Sequence, residues 1–148
     1  MHQNMNTFSD LQAIELELEV SLKIKPIGLP KINVWINQDL MTSIQLDHPI
    51  TIYHKLPLLE PFEIKIQLWE KDYTAAQETA AVIESLRIDN FELVPSWTQL
   101  AVYQNDHNYH APTNYLGFVG TWTFAVDRAF YQWLHGTVNQ GLLLTLDQ

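Results

Sequence analysis

Hydrophobic and polar residues alternate with a period of two through most of the first two thirds of the chain. The clearest run is "IELELEVSLKIK", in which Ile14, Leu16, Leu18, Val20, Leu22 and Ile24 alternate with Glu15, Glu17, Glu19, Ser21, Lys23 and Lys25. Successive side chains of a strand point to opposite faces, so this run predicts a strand with one buried and one wet face. Pro26, Gly28 and Pro30 end it. "KINVWIN" predicts a second strand, with Ile32, Val34 and Ile36 on one face and Trp35 on the other. "NQDL" reads as a turn, "MTSIQL" as a third strand and "PITIYHK" as a fourth. Pro57 and Pro61 bracket a loop before "FEIKIQLW", a strand with Phe62, Ile64, Ile66 and Leu68 inward. "EKDYTAAQETAA" is a polar loop of small residues, and "VIESLRIDNFEL" a strand pair or bent strand. Short alternating runs separated by turn signals predict an antiparallel, all-β sandwich. Strands of a parallel α/β sheet are apolar on both faces and do not alternate this way.

From Val94 the texture changes. Alternation stops, and aromatic residues mix with Asn, Gln, His and Thr. "GTWTFAVD" predicts one more strand, with Trp122, Phe124 and Val126 on one side. "DRAFYQWLHG" predicts a short helix with Asp127 as N-cap, Gly136 as stop, and Phe130, Trp133 and Leu134 on its apolar face. "LLLTL" is a candidate return to a sheet edge. The expected organisation is therefore a sandwich over residues 11–93 and an aromatic-rich C-terminal extension over 94–148. The extension is expected to pack on the sandwich and on a partner, because so long a segment without regular structure is unusual in a compact domain.

Composition narrows the function. A length of 148 residues suits one domain with a real core, and the five tryptophans exclude a disordered chain. With no cysteine there is no disulfide, thiol nucleophile or thiolate zinc site. The start, "MHQNMNTFSD", has neither a basic nor an apolar stretch, so no signal peptide is expected. No run reaches the roughly 20 apolar residues of a membrane span. The formal net charge is −9, and beyond Lys71 the cationic residues are Arg87 and Arg128 alone. Phosphate contacts need Lys and Arg, so nucleic acid and anionic membrane are poor partners.

Candidate chemistry is sparse. "YQNDHNYHAP" brings Asp106, His107 and His110 close together, a start towards a metal site or a hydrolytic centre. His54 or His135 would have to complete it in space; otherwise these side chains simply pin an irregular segment. No G-x-S-x-G, S-x-x-K or glycine-rich phosphate loop is present. Glu15, Glu17 and Glu19 read as a solvated strand face rather than as paired catalytic carboxylates. Contact groups are abundant instead. Trp97, Tyr103, His107, Tyr109, His110, Tyr115, Phe118, Phe130 and Trp133 are candidates for meeting a protein partner, since aromatic rings carry much interface energy. Trp35, Trp69 and Tyr73 are candidates for stacking on a glycan.

Two resemblances bear on these alternatives. From Lys31 to Leu93, "NVWINQDL", "IQLWEKDY" and "ETAAVIESLRIDNFEL" resemble the calcium-dependent xylan-binding carbohydrate modules, which implies a jelly-roll-like β-sandwich. Lys71 stands where that family has an asparagine, and Glu78, Thr79, Ala80 and Ala81 replace its "D-R-N-L". Asp72 and Glu78 remain as calcium-ligand candidates, against the six or more oxygens that calcium takes. In the C-terminal part, "VIESLRIDNFELVPSW", "YQNDHNYHAPTNYLGFVGTWTF" and "DRAFYQWLHGTVNQGLLL" resemble small uncharacterised proteins of tailed bacteriophages, especially T4-like phages of cyanobacteria. That resemblance implies a non-enzymatic virion protein, made in the host cytoplasm and contacting other virion subunits or copies of itself. The alternative is a carbohydrate-binding module for host-surface glycans, with or without calcium.

Overall fold

The computed structural model describes residues 16–94, 97, 100–107, 110–111 and 113–139, with the main chain only at 110, 111, 138 and 139. Two antiparallel sheets form a β-sandwich. The strands are β1 (Glu17–Ile27), β2 (Lys31–Ile36), β3 (Asp39–Gln45), β4 (Ile50–Pro57), β5 (Phe62–Glu70) and β6 (Ala80–Ile88). They continue as β7 (Phe91–Glu92), β8 (Val102–Gln104), β9 (His110–Ala111), β10 (Tyr115–Leu116) and β11 (Gly120–Val126), and helix α1 spans Phe130–Asn139. The first sheet has the order β10-β6-β1-β4, with β7 on β6; the second has the order β3-β2-β5-β11-β8-β9.

Alternation fixes which face of each strand is buried. Leu18, Val20, Leu22 and Ile24 of β1 meet Ile32, Val34 and Ile36 of β2 and Ile64, Ile66 and Leu68 of β5 in one core. Each fully buried side chain of this size stabilises the fold by about 1.5–3 kcal/mol. A slip of one residue in any of these strands would turn its apolar set outward, so the register is tightly specified. Asn37 and Asp89 adopt positive φ at two turns, a conformation Asn and Asp tolerate better than most. Each is pinned by the strand beside it. Asn37 Oδ1 accepts from Glu63 N at 3.1 Å, and Asp89 Oδ1 accepts from Glu19 N at 2.8 Å.

The five strands expected before "VIESLRIDNFEL" are present, and that segment is the pair β6–β7. The C-terminal part differs from expectation. It supplies β8 to β11, and β11 lies inside the second sheet between β5 and β8. Strands β8 to β11 therefore complete the sandwich instead of lying upon it. The helix also differs. It begins at Phe130, three residues beyond the expected cap, and runs past Gly136. Asp127 is turned to Arg128, accepting from its Nε at 3.0 Å. The expected apolar face holds: Phe130 and Leu134 are buried, and Trp133 packs against the core. "LLLTL" lies outside the described residues. No described helix is long and apolar enough to cross a membrane.

Candidate functional site

Three of the expected partner-contact rings are buried in the core. Tyr103 and Phe130 are fully buried and Trp97 is 6% exposed, so these three belong to the core of the chain and present no ring to a partner. Tyr103 lies on the core side of β8, where its hydroxyl donates to Phe118 O and accepts from Phe118 N at 3.2 Å. Its ring stacks on Phe118 with centroids 4.0 Å apart. Burial pushes the Tyr103 hydroxyl well above its ordinary pKa. Trp133 packs on Trp97 and Phe124, and only part of its surface is open. Tyr115 and His107 are exposed. Tyr109 and the side chain of His110 lie outside the described residues.

The described residues of "YQNDHNYHAP" include two short paired strands. Tyr103 and Gln104 of β8 pair with Ala111 and His110 of β9. The Asn105 side chain accepts from His107 N at 2.9 Å in the turn between them. Among the described residues no group of three or more His, Asp or Glu side chains is gathered to hold a metal.

The two calcium-ligand candidates are already engaged. Lys71 follows β5, and its ammonium reaches Glu78 Oε1 at 2.5 Å and Gly117 O at 2.6 Å, with only 9% of its side chain exposed. It also lies 5.5 Å from the centre of the Tyr73 ring. One lysine thus ties the β5–β6 loop to the link between β10 and β11. The hydrogen bond from Lys71 holds the Glu78 carboxyl below its usual range, helped by Thr79 N. Asp72 accepts from Thr74 Oγ1 at 2.6 Å and Thr74 N at 2.9 Å, and these bonds hold its carboxyl low as well. Tyr73 is fixed in the same region, its hydroxyl accepting from Val119 N at 2.8 Å. Val119 precedes Gly120, which faces Leu68, so this bond lies by the end of β5 that carries Trp69, whereas Trp35 is on β2.

Those two tryptophans share the outer face of the six-stranded sheet. Trp35 lies opposite Lys65 of β5, and Trp69 lies four residues further along β5 on the same face. At roughly 3.3 Å per residue the two positions are about 13 Å apart along the strands. Trp69 is 42% exposed, and the Lys31 ammonium sits 5.3 Å from its ring centre.

Between the indoles runs a row that no single stretch of sequence reveals. Asn33 of β2 faces Ser43 of β3 on one side and Gln67 of β5 on the other. Gln67 faces Thr121 of β11, and Thr121 faces Gln104 of β8. Five neighbouring strands therefore each contribute one uncharged hydrogen-bonding side chain at the same level. Asn33 Nδ2 donates to Gln67 Oε1 at 3.1 Å, while Asn33 Oδ1 is buried without a partner. Trp35 flanks one side of the row and Trp69 the other. The charges nearby are matched: Lys31 pairs with Glu70 at 3.0 Å and Lys65 with Glu63 at 3.3 Å. This face offers hydroxyl and amide hydrogen bonds between two aromatic walls, a lining suited to a polar, neutral, non-planar ligand.

No family model and no curated protein matches the chain. Among solved structures, a carbohydrate-binding module, vCBM60 in complex with galactobiose, matches with a TM-score of 0.49 at 8% identity. The match covers 73% of this chain and 99% of that one. A likeness this distant does not extend to ligand or site, which rest on the geometry of this chain.

Proposed function

We propose that this chain is a non-catalytic glycan-binding domain, and that its recognition surface is the outer face of the six-stranded sheet. The observation that carries the reading is the row Ser43, Asn33, Gln67, Thr121, Gln104, lying between Trp35 and Trp69. Indole rings stack on the apolar faces of sugars, and side-chain amides and hydroxyls pair with sugar hydroxyls. The rigid sheet holds these groups in place before a ligand arrives, which lowers the cost of ordering them on binding. The carboxylates on this face, Glu63 and Glu70, are paired with lysines rather than set across a cleft from each other.

The virion-assembly reading has less behind it. It rests on a resemblance of the C-terminal segments that no comparison supports, and of its candidate contact rings Trp97, Tyr103 and Phe130 are inside the chain. The test is a broad glycan array probed with the labelled chain, followed by titration of each hit. Trp69→Ala removes a ring that is substantially exposed, so the fold should survive, and circular dichroism checks that it does. The expected result is retention of a defined glycan class and loss of roughly tenfold or more in affinity in the variant, the scale of a modest hot spot. A folded chain that retains nothing across the array would overturn the reading.

A further inference from the structure

We infer that the ligand of this face is an unbranched, uncharged polysaccharide lying across the strands, with successive sugars meeting successive strands. The inference rests on the glycan-binding reading above and names its substrate class and direction. Its first support is spacing. Neighbouring strands are about 4.8 Å apart, so five polar side chains in register span roughly 19 Å. That repeat is close to the rise per sugar of an extended, linked pyranose chain. A chain laid along the strands would meet side chains at every second residue instead, alternating between the row and its charged or aromatic flanks.

The second support is the position of the walls. On β2, Trp35 lies two residues beyond Asn33; on β5, Trp69 lies two residues beyond Gln67. Because the strands are antiparallel and Asn33 faces Gln67, the two indoles fall on opposite sides of the row. They form the banks of a trough whose axis crosses the sheet. Leu40 and Val102, both exposed, extend the Trp35 bank at its two ends, since Leu40 faces Trp35 and Val102 faces Thr123. Banks on both sides leave room for a single chain and exclude side branches at the central sugars.

The third support is charge. None of the five floor side chains is ionisable, His110 of β9 faces Gln104 at the end of the row, and Lys31 and Lys65 on the banks are each neutralised by a glutamate. A uronate or sulfated chain would find no unpaired cation on these banks, on a protein with a formal net charge of −9.

The test is calorimetric titration of the whole chain with cello-, xylo- and manno-oligosaccharides, from disaccharide to hexasaccharide, with oligogalacturonides as the acidic comparison. Affinity for one neutral series should climb with length and level off near the pentasaccharide, because five side chains form the floor. Gln67→Ala, at the centre, should weaken every length, by up to about tenfold for one lost hydrogen bond. Ser43→Ala, at one end, should weaken the longest oligomers and leave the shortest unchanged. Affinity independent of length, or a preference for the acidic series, would overturn the lengthwise placement. If Trp69→Ala still abolished that binding, the glycan-binding reading would stand. Absence of binding to any series, together with a blank array, would overturn both.

Discussion

Replacing Lys71 by methionine keeps the length of the buried stem and removes only the ammonium. Three interactions go with it: the bonds to Glu78 and to Gly117 O, and the contact with the Tyr73 ring. The Gly117 carbonyl sits in a part-buried position, and leaving such an acceptor unpaired costs about 1–3 kcal/mol. The cation–ring contact contributes about 0.5–1 kcal/mol. Glu78 is half exposed and is rehydrated once released, so it adds little at neutral pH. A loss of about 2–3 kcal/mol follows, which for a chain of this size lowers the thermal midpoint by about 5–10 °C. The difference should also depend on pH. Glu78 has a lowered pKa in the fold, so its share of the stability is present above its ordinary pKa of 4.5. That share fades as pH falls through the lowered value. Thermal melts of parent and Lys71→Met, at neutral pH and again in acid, measure both effects. A neutral-pH midpoint within about 1 °C of the parent would show that the lysine is not the tie described here.

Tyr103→Phe deletes a buried hydroxyl that both donates to and accepts from Phe118. Denaturant titration should show a loss of about 1–3 kcal/mol, and an unchanged midpoint would mean that the Phe118 backbone finds other partners. Tyr131 donates to Asp89 at 2.6 Å, and this bond, ahead of burial, pushes its pKa up to about 12. A raised pKa stabilises the fold below the ordinary value near 10 and loses that contribution as pH climbs to about 12. The stability gap between parent and Tyr131→Phe, under about 1 kcal/mol for so exposed a pair, should therefore close over that range. Added calcium or a chelator should leave the thermal midpoint unchanged, because Glu78 is held by Lys71 and Asp72 by Thr74; a rise with calcium would refute this.

How much was legible follows from what period-two alternation can encode. β1, β2 and β5 are long enough to repeat the pattern several times, so their buried faces could be read residue by residue. β8, β9 and β10 have only two or three residues each and contain no repeat. They are strands because a longer neighbour offers a partner: β11 for β8, and β6 for β10. Without a period the sequence gives no direction to a ring. The inward turn of Tyr103 and Trp97 was therefore hidden, while that of Trp122 and Phe124 was visible in "GTWTFAV". The helix starts later than the cap signal implied, and Asp127 bonds Arg128 beside it.

The candidate site was legible by half. Trp35 stood out as a bulky ring on the polar side of an alternating strand, and it shares the outer face of the sheet with Trp69. Tyr73 follows β5, in a loop without alternation, and its hydroxyl is held by Val119 N. The floor between the tryptophans could not be seen at all. Positions 33, 43, 67, 104 and 121 are scattered over most of the chain, and each alone is an ordinary solvent-facing residue. Only register makes them a row, and register is set by the opposite face: burying Ile32, Val34, Ile66, Trp122 and Tyr103 fixes which polar residues line up behind them. The apolar pattern thus does two things at once. It closes the core, and it places one hydrogen-bonding side chain per strand on the far side of the same sheet.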